Sequence, residues 1–215
     1  MPDTYAVIGN PIAHSRSPQI HTLFAEQTQQ DLSYEKNLVE PGRLEEFVLN
    51  FFKTGGCGLN VTVPFKEAVF ELAVEHSKKA ERAKAANTLY LNENGELTAD
   101  NTDGPGIIQD IEKNLGLSLA NASVLVLGAG GAVRGILAGL ANQAEKAKPQ
   151  GIVIANRTLG KAQQLETEFS KELHVSSCEY NALSQASSQQ GFDIIINGTS
   201  MGLSNQTPDI STGVV

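Results

Sequence analysis

The sequence predicts an α/β protein in two domains, and three observations carry that prediction. Strand-like and helix-like segments alternate along the chain, the pattern of α/β architecture. The stretch SVLVLGAGGA (123–132) is a continuous apolar strand running into glycines, as in strands buried on both faces of a parallel sheet. The pattern also changes near residue 104, where a hairpin gives way to a helix and then to repeated apolar strands. These features place one α/β domain at residues 1–104 and a second, doubly wound one at 105–215.

The elements follow in order. TYAVIG (4–9) is a short apolar strand, and 18–29 is a helix with Ile20, Leu23 and Phe24 on one face. SYEKNLV (33–39) reads as a strand, and Pro41-Gly42 opens a helix with Leu44, Phe47, Val48 and Phe51 at helical spacing. GLNVTV (58–63) is the third strand. Pro64 suits the first position of the next helix, where its missing N–H costs nothing. TLYLNENGELTADNTDG pairs two strands across Asn94-Gly95, since both turn positions tolerate positive φ. A helix at 106–116 leads to the second domain's apolar strands, with GIVIAN (151–156), LHVSS (173–177) and DIIIN (193–197) repeating the first and helices between them.

With 215 residues the chain can bury a sizeable core. A net charge of −8 and a pI near 5.0 argue against nucleic acid or an anionic membrane as main partner. No apolar run approaches the roughly 18 residues of a membrane span. The N-terminal MPDTYAVIGNP carries an acid where a signal peptide carries positive charge, so the expected setting is cytoplasmic. Cys57 and Cys178 form no C-x-x-C pair and read as reduced core thiols. His14, His21, His76 and His174 lack ligand spacing with cysteines or acids, so no metal is expected.

Gly128, Ala129, Gly130, Gly131 and Ala132 lie after a strand and before an apolar helix, the context of a dinucleotide fingerprint. Glycines there let the backbone approach a pyrophosphate at the helix N-terminus. The third fingerprint position is Val133, so the strict G-x-G-x-x-G/A pattern fails, and a tight turn in any doubly wound domain would look similar. Context favours a nucleotide, and the second domain is read as a Rossmann-type dinucleotide-binding unit. Its second strand ends Ala155-Asn156-Arg157-Thr158 with Lys161 one turn on, and no acid is present to repel a 2′-phosphate. Arg157 can fork or stack onto such a phosphate and Lys161 adds charge, so the expected cofactor is NADP rather than NAD.

Lys66 falls in a helix's first turn, where exposed N–H groups favour anions and repel cations. Such a misplaced charge asks for a chemical reason. Ser17 is a natural N-cap before Pro18, and Ser15 has no such task. Together the two hydroxyls at a helix mouth would equally hold a carboxylate. Asn87 begins a strand and Asp103 closes the hairpin, positions that suit plain turn chemistry. With Thr62 and Lys66, however, they put short polar residues at strand ends, where a ligand cleft forms. GTSMG (198–202) matches the nucleophile elbow G-x-S-x-G, yet all four histidines precede Ser200 and a hydrolase needs one after it. The segment, Thr199 included, reads better as a loop at the carboxyl end of a parallel strand, where such sheets line their ligand crevice.

GNPIAHSRSP, NVTVPFK, AANTL, DNTDG, GAGGA, NRT and NGTSMG occur in the order and spacing of the shikimate dehydrogenase family, a resemblance along essentially all 215 residues. It implies a substrate-binding and catalytic α/β domain followed by a Rossmann-type NADP domain. The implied reaction is the NADP-dependent interconversion of 3-dehydroshikimate and shikimate, in chorismate and aromatic amino-acid biosynthesis. Lys66 and Asp103 are then implied as the catalytic pair, and Ser15, Ser17, Thr62, Asn87 and Asp103 as substrate ligands. Residues 128–132 would take the pyrophosphate, and Asn156, Arg157, Thr158, Lys161 and Thr199 would serve the rest of the cofactor. The chemistry agrees: hydride transfer to a ketone leaves charge on its oxygen, which needs a proton donor within reach. Two alternatives stay open, a quinate/shikimate enzyme using NAD and a non-catalytic nucleotide-binding protein on the same scaffold. The resemblance also implies further strands, a tyrosine and a glutamine beyond Val215. The sequence therefore reads as a truncated chain, its Rossmann domain incomplete and its turnover impaired or lost. Its expected partner is a small-molecule substrate, with no nucleic acid and no membrane, in a monomer or homodimer.

Overall fold

The computed structural model describes residues 2–183, 191–204, 206–208 and 210. Residues 212–215, where the expected truncation falls, lie outside the described residues. The chain divides into two compact units, one up to Thr102 and one from Asp103 on.

The first unit begins with β1 (Asp3–Gly9), α1 (Ser17–Thr28), β2 (Leu32–Leu38), α2 (Leu44–Lys53) and β3 (Gly56–Val61). β1 pairs in parallel with both β2 and β3, so the helices serve as the crossovers that parallel pairing requires. There follow α3 (Lys66–Leu72), β4 (Glu75–His76), α4 (Lys78–Ala83), β5 (Thr88–Leu91) and β6 (Leu97–Asp100). β5 runs antiparallel to β3 and β6, and Gly95 supplies the positive φ of 78° in the β5–β6 turn, as Asn94-Gly95 led us to expect. The sheet order is β2-β1-β3-β5-β6-β4. Ala6, Ile8, Leu59, Val61, Val48, Val69, Leu89 and Ala99 form one buried cluster. Fully burying the larger of these, the valine, leucine and isoleucine side chains, stabilises the unit by about 1.5–3 kcal/mol each before entropy is counted.

The second unit has α5 (Asp103–Gln109), β7 (Ser123–Leu127), α6 (Gly131–Ala141), β8 (Gly151–Ala155), α7 (Leu159–Phe169), β9 (Val175–Cys178) and β10 (Ile194–Asn197). Its four described strands are all parallel in the order β10-β7-β8-β9. Neighbouring β7 and β10 are far apart in sequence, which makes their shared end the topological switch point where doubly wound sheets bind ligands. α5 and α6 meet through glycine. A Cβ on Gly104 would lie 2.3 Å from the Gly135 carbonyl oxygen, and one on Gly139 would lie 2.7 Å from Gly104 Cα. Arg134, 7% exposed on α6, makes a bidentate pair with Glu168 of α7 at 2.7 and 3.3 Å. That pairing commits its guanidinium to joining helices.

Three local expectations change. Pro64 is not the first helical residue: α3 starts at Lys66 with Phe65 as N-cap, and Val63–Pro64 is cis. The reason is packing, because Phe65 is 3% exposed in the core while Pro64 stays at the surface. Asp103 does not close the hairpin but opens α5, where an acid in the first turn suits the helix dipole. α5 then passes into a π-helical stretch, Asp110–Asn114, instead of continuing as α-helix to 116.

Candidate active site

The carboxyl ends of β1 and β3 carry a continuous polar chain. Ser17 is the first residue of α1 rather than its cap, and its N–H donates to Ser15 Oγ at 3.3 Å. The hydroxyl with no expected task therefore meets the helix start, while Ser17 Oγ accepts from Ser15 Oγ at 3.2 Å. Ser17 in turn hydrogen-bonds Tyr34, whose phenol donates to Asn60 Oδ1 at 2.5 Å. Burial pushes the Tyr34 phenol up to about 12, against the opposing pull of Ser17, so it stays a neutral donor across the ordinary pH range. His21 stacks on the Tyr34 ring at 4.2 Å and 2°, and burial lowers its own pKa.

Beyond Asn60 the chain continues. Its amide donates to Thr88 Oγ1 at 3.4 Å, and Thr88 Oγ1 donates to Asn87 Oδ1 at 2.9 Å. Asn87 Nδ2 reaches Thr102 Oγ1 at 2.9 Å, and the Thr102 N–H returns to Asn87 Oδ1 at 3.1 Å. Ser15, Ser17 and Asn87 thus belong to one network, linked by Tyr34, Asn60, Thr88 and Thr102, which the sequence reading did not single out. Asn60, Thr88 and Thr102 lie within the quoted stretches NVTVPFK, AANTL and DNTDG without having been given a role, and Tyr34 gives no sequence signal beyond an aromatic in a strand.

Thr62 and Lys66 stand at the same edge. The Thr62 N–H donates to Ile8 O at 2.9 Å, extending the β1–β3 pairing past the end of β3, and Thr62 O accepts from Phe65 N at 3.0 Å. A Cβ on Gly9 would lie 2.5 Å from Thr62 Cγ2, so glycine lets β1 leave the sheet beside this threonine. Lys66 is half-buried at the start of α3, and its carbonyl accepts from Ala86 N at 2.8 Å, one residue before Asn87. Asp103, also half-buried, is the first residue of α5 in the second unit.

In the second unit, Gly128 ends β7 with φ 103°, a conformation that glycine alone adopts without strain. A Cβ there would lie 3.1 Å from Gly198 O, so the loops after β7 and β10 touch at the switch point. Gly130 caps the eleven-residue α6, and an added Cβ there would meet nothing within 4 Å. That open backbone at a helix N-terminus fits a pyrophosphate. Val133, the position at which the fingerprint fails, is fully buried, and a Cβ on Gly198 would lie 2.6 Å from its Cγ2. The missing small residue on the helix is supplied by the facing strand's exit. The Thr199 N–H and Oγ1 both donate to Asn197 Oδ1, at 3.0 and 2.8 Å.

After β8, Asn156 Nδ2 donates to Thr158 O at 2.9 Å, while Arg157, Thr158 and Lys161 are exposed. Tyr180, after β9, lies close enough to Arg157 to feel its charge: burial raises the phenol's pKa and the guanidinium lowers it. An exposed arginine and lysine beyond the second parallel strand, with no acid between them, fit a 2′-phosphate. Among the described residues, no group of three or more His, Cys, Asp or Glu side chains is placed to hold a metal ion, and no helix is long and apolar enough to cross a membrane.

Known proteins resemble this chain in sequence and fold. Residues 7–89 match the family described as shikimate dehydrogenase substrate binding domain, and residues 110–205 the family described as shikimate / quinate 5-dehydrogenase. A protein of Methylococcus capsulatus named shikimate dehydrogenase (NADP(+)) is 47% identical over 214 residues, spanning 100% of this chain and 74% of that protein. One of the same name from Marinobacter nauticus is 48% identical, spanning 99% of this chain and 75% of that protein. Among solved structures, an Ael1 enzyme from Pseudomonas putida superposes with a TM-score of 0.81 at 44% identity, over 97% of this chain and 73% of that one.

Proposed function

Because the chain belongs to the shikimate dehydrogenase family, we propose that it reversibly reduces 3-dehydroshikimate to shikimate with NADPH. The carrying observation is the polar network from Ser15 to Thr102, gathered at the carboxyl ends of β1 and β3. A ring bearing one carboxylate and several hydroxyls needs closely spaced donors and acceptors of this kind, and an apolar ligand would strand them. Residues 1–104 then bind the substrate and 105–215 the cofactor. Ser15 and Ser17 take the carboxylate, while Thr62, Asn87 and Asp103 take hydroxyls.

NADPH, when bound, supplies the hydride. Residues 128–132 would hold its pyrophosphate and Thr199 the adjoining part of the crevice, with Asn156, Arg157, Thr158 and Lys161 at the 2′-phosphate end. Lys66 donates the proton that the reduced carbonyl oxygen requires, and in oxidation takes it back from the hydroxyl. Asp103 is the second member of the proposed catalytic pair. Free thiols at Cys57 and Cys178 support a cytoplasmic setting. The test is absorbance at the reduced-nicotinamide band after mixing the chain with shikimate and NADP⁺, with quinate and NAD⁺ in parallel. Shikimate with NADP⁺ should give the largest signal. Greater turnover of quinate with NAD⁺ would replace the proposal with its close alternative, and NADPH binding with no turnover of either substrate, both in this chain and in one extended to the length of its relatives, would favour a non-catalytic role.

A further inference from the structure

Behind the polar network lies a second layer of hydrogen bonds. Asp100, the last residue of β6, accepts at Oδ1 from the Asn101 N–H at 2.8 Å and from the Ser77 hydroxyl, and at Oδ2 from Lys79 Nζ at 2.9 Å. Ser77 also accepts from Ala80 N at 3.1 Å as the N-cap of α4, so one hydroxyl joins a helix start to the end of a strand. Asn101 is 1% exposed, and its amide donates to Ala85 O at 2.9 Å. The Asn87 N–H donates to Asp100 O at 3.1 Å, and the Ala86 N–H to Lys66 O at 2.8 Å.

We propose that Asp100 and Asn101 are positioning residues, which hold Lys66, Asn87 and Thr102 in one constellation through the buried Ala85–Ala86 segment. This rests on the function proposed above. Turns that carry polar ligands have little apolar packing to restrain them. Here the restraint comes from a buried amide and a carboxylate satisfied by three donors, one of them cationic. Lys79 gives the carboxylate a charge partner while lying outside the network itself. Charge-assisted bonds are about twice as strong as neutral ones, which suits them to this task.

The experiment compares Asp100→Ala, Asp100→Asn and Lys79→Met with the parent chain, with kcat expressed per NADPH-binding site titrated by nucleotide fluorescence. Asp100→Ala should lower kcat per site at least about tenfold, since misplacement on the ångström scale costs up to about 100-fold. NADPH affinity should change by less than about twofold, and Asp100→Asn, which keeps acceptors for Ser77 and Asn101, should recover most of the loss. Lys79→Met should cost about threefold. It serves if Asp100→Ala does not fold, and an unchanged kcat per site in it then overturns the proposal. A variant that melts earlier yet keeps full kcat per site overturns it as well, because its role would be purely structural. Amide hydrogen exchange supplies a readout that does not need turnover. Asp100→Ala should speed exchange at Ala86, Asn87 and Thr102 and leave β7 and β8 unchanged, and equal exchange at the three amides overturns the proposal even if the chain shows no shikimate-dependent activity. An inactive parent with the expected exchange pattern would count against the proposed function alone.

Discussion

Gly139→Ala offers the sharpest test of how α5 is seated. The added methyl would stand 2.7 Å from Gly104 Cα, 2.8 Å from its carbonyl carbon and 3.1 Å from Ile108 Cδ1. Two of those three atoms are backbone, so no side chain can swing away and the helices must separate by several tenths of an ångström. Overpacking of this kind costs about 1–3 kcal/mol, while alanine over glycine in a helix returns up to about 1 kcal/mol. The net loss is about 1 kcal/mol, or a melting point lower by about 4–8 °C in a unit of this size. Gly106→Ala is the internal control. It sits on α5 itself, where an added Cβ meets nothing within 4 Å, so only the propensity gain remains and the melting point should rise. Thermal unfolding followed by far-ultraviolet circular dichroism measures both. If Gly139→Ala melts at or above the parent, as Gly106→Ala should, the close glycine contact does not exist as described.

Four further outcomes follow from the same structure. Lys66→Ala should abolish shikimate-dependent turnover while NADPH binding persists, and a normal kcat would remove the lysine from the chemistry. Arg157→Ala should raise KM for NADP⁺ about 10–100-fold, the worth of a charge-assisted hydrogen bond, with NAD⁺ little affected; equal effects on both cofactors would refute a 2′-phosphate contact. Gly198→Ala should destabilise the second unit through its 2.6 Å approach to Val133 Cγ2, and Val133→Ala should restore part of the loss in a double-mutant cycle, with strict additivity as the contrary result. Burial raises the Asp100 pKa, but hydrogen bonds from Ser77, Lys79 and Asn101 outweigh it and hold the carboxyl below its ordinary 3.8. Its contribution is therefore complete above the unfolded value and fades as pH falls toward the folded one. In Asp100→Asn, acid denaturation curves should be flatter over that range, and curves parallel to the parent's would contradict the shift.

Alternating apolar segments, the Asn94-Gly95 turn and the glycine loop after Leu127 were legible because each states a local rule strongly. The same local logic misplaced Pro64. Proline chemistry suits a helix start, but the burial of Phe65 decided where α3 begins, and burial belongs to the whole core. Ser15 and Ser17 exchanged tasks for a related reason, since Ser17 is drawn toward Tyr34 from a strand that no motif marks. Tyr34, Asn60 and Thr102 entered the network through pairing across the sheet and through its connecting turns. Register of that kind depends on the full strand order, which no single window contains.

Val133 and Gly198 bear on how such domains are recognised. The familiar glycine pattern records a demand for room between a helix and its sheet, and this chain meets the demand from the opposite wall. A search that insists on a small residue at the third position would pass over this loop. One that asks for a small residue at either of two distant positions would find it. Drift at one of the pair is then permitted only while the other stays small, so the two should vary together among related chains.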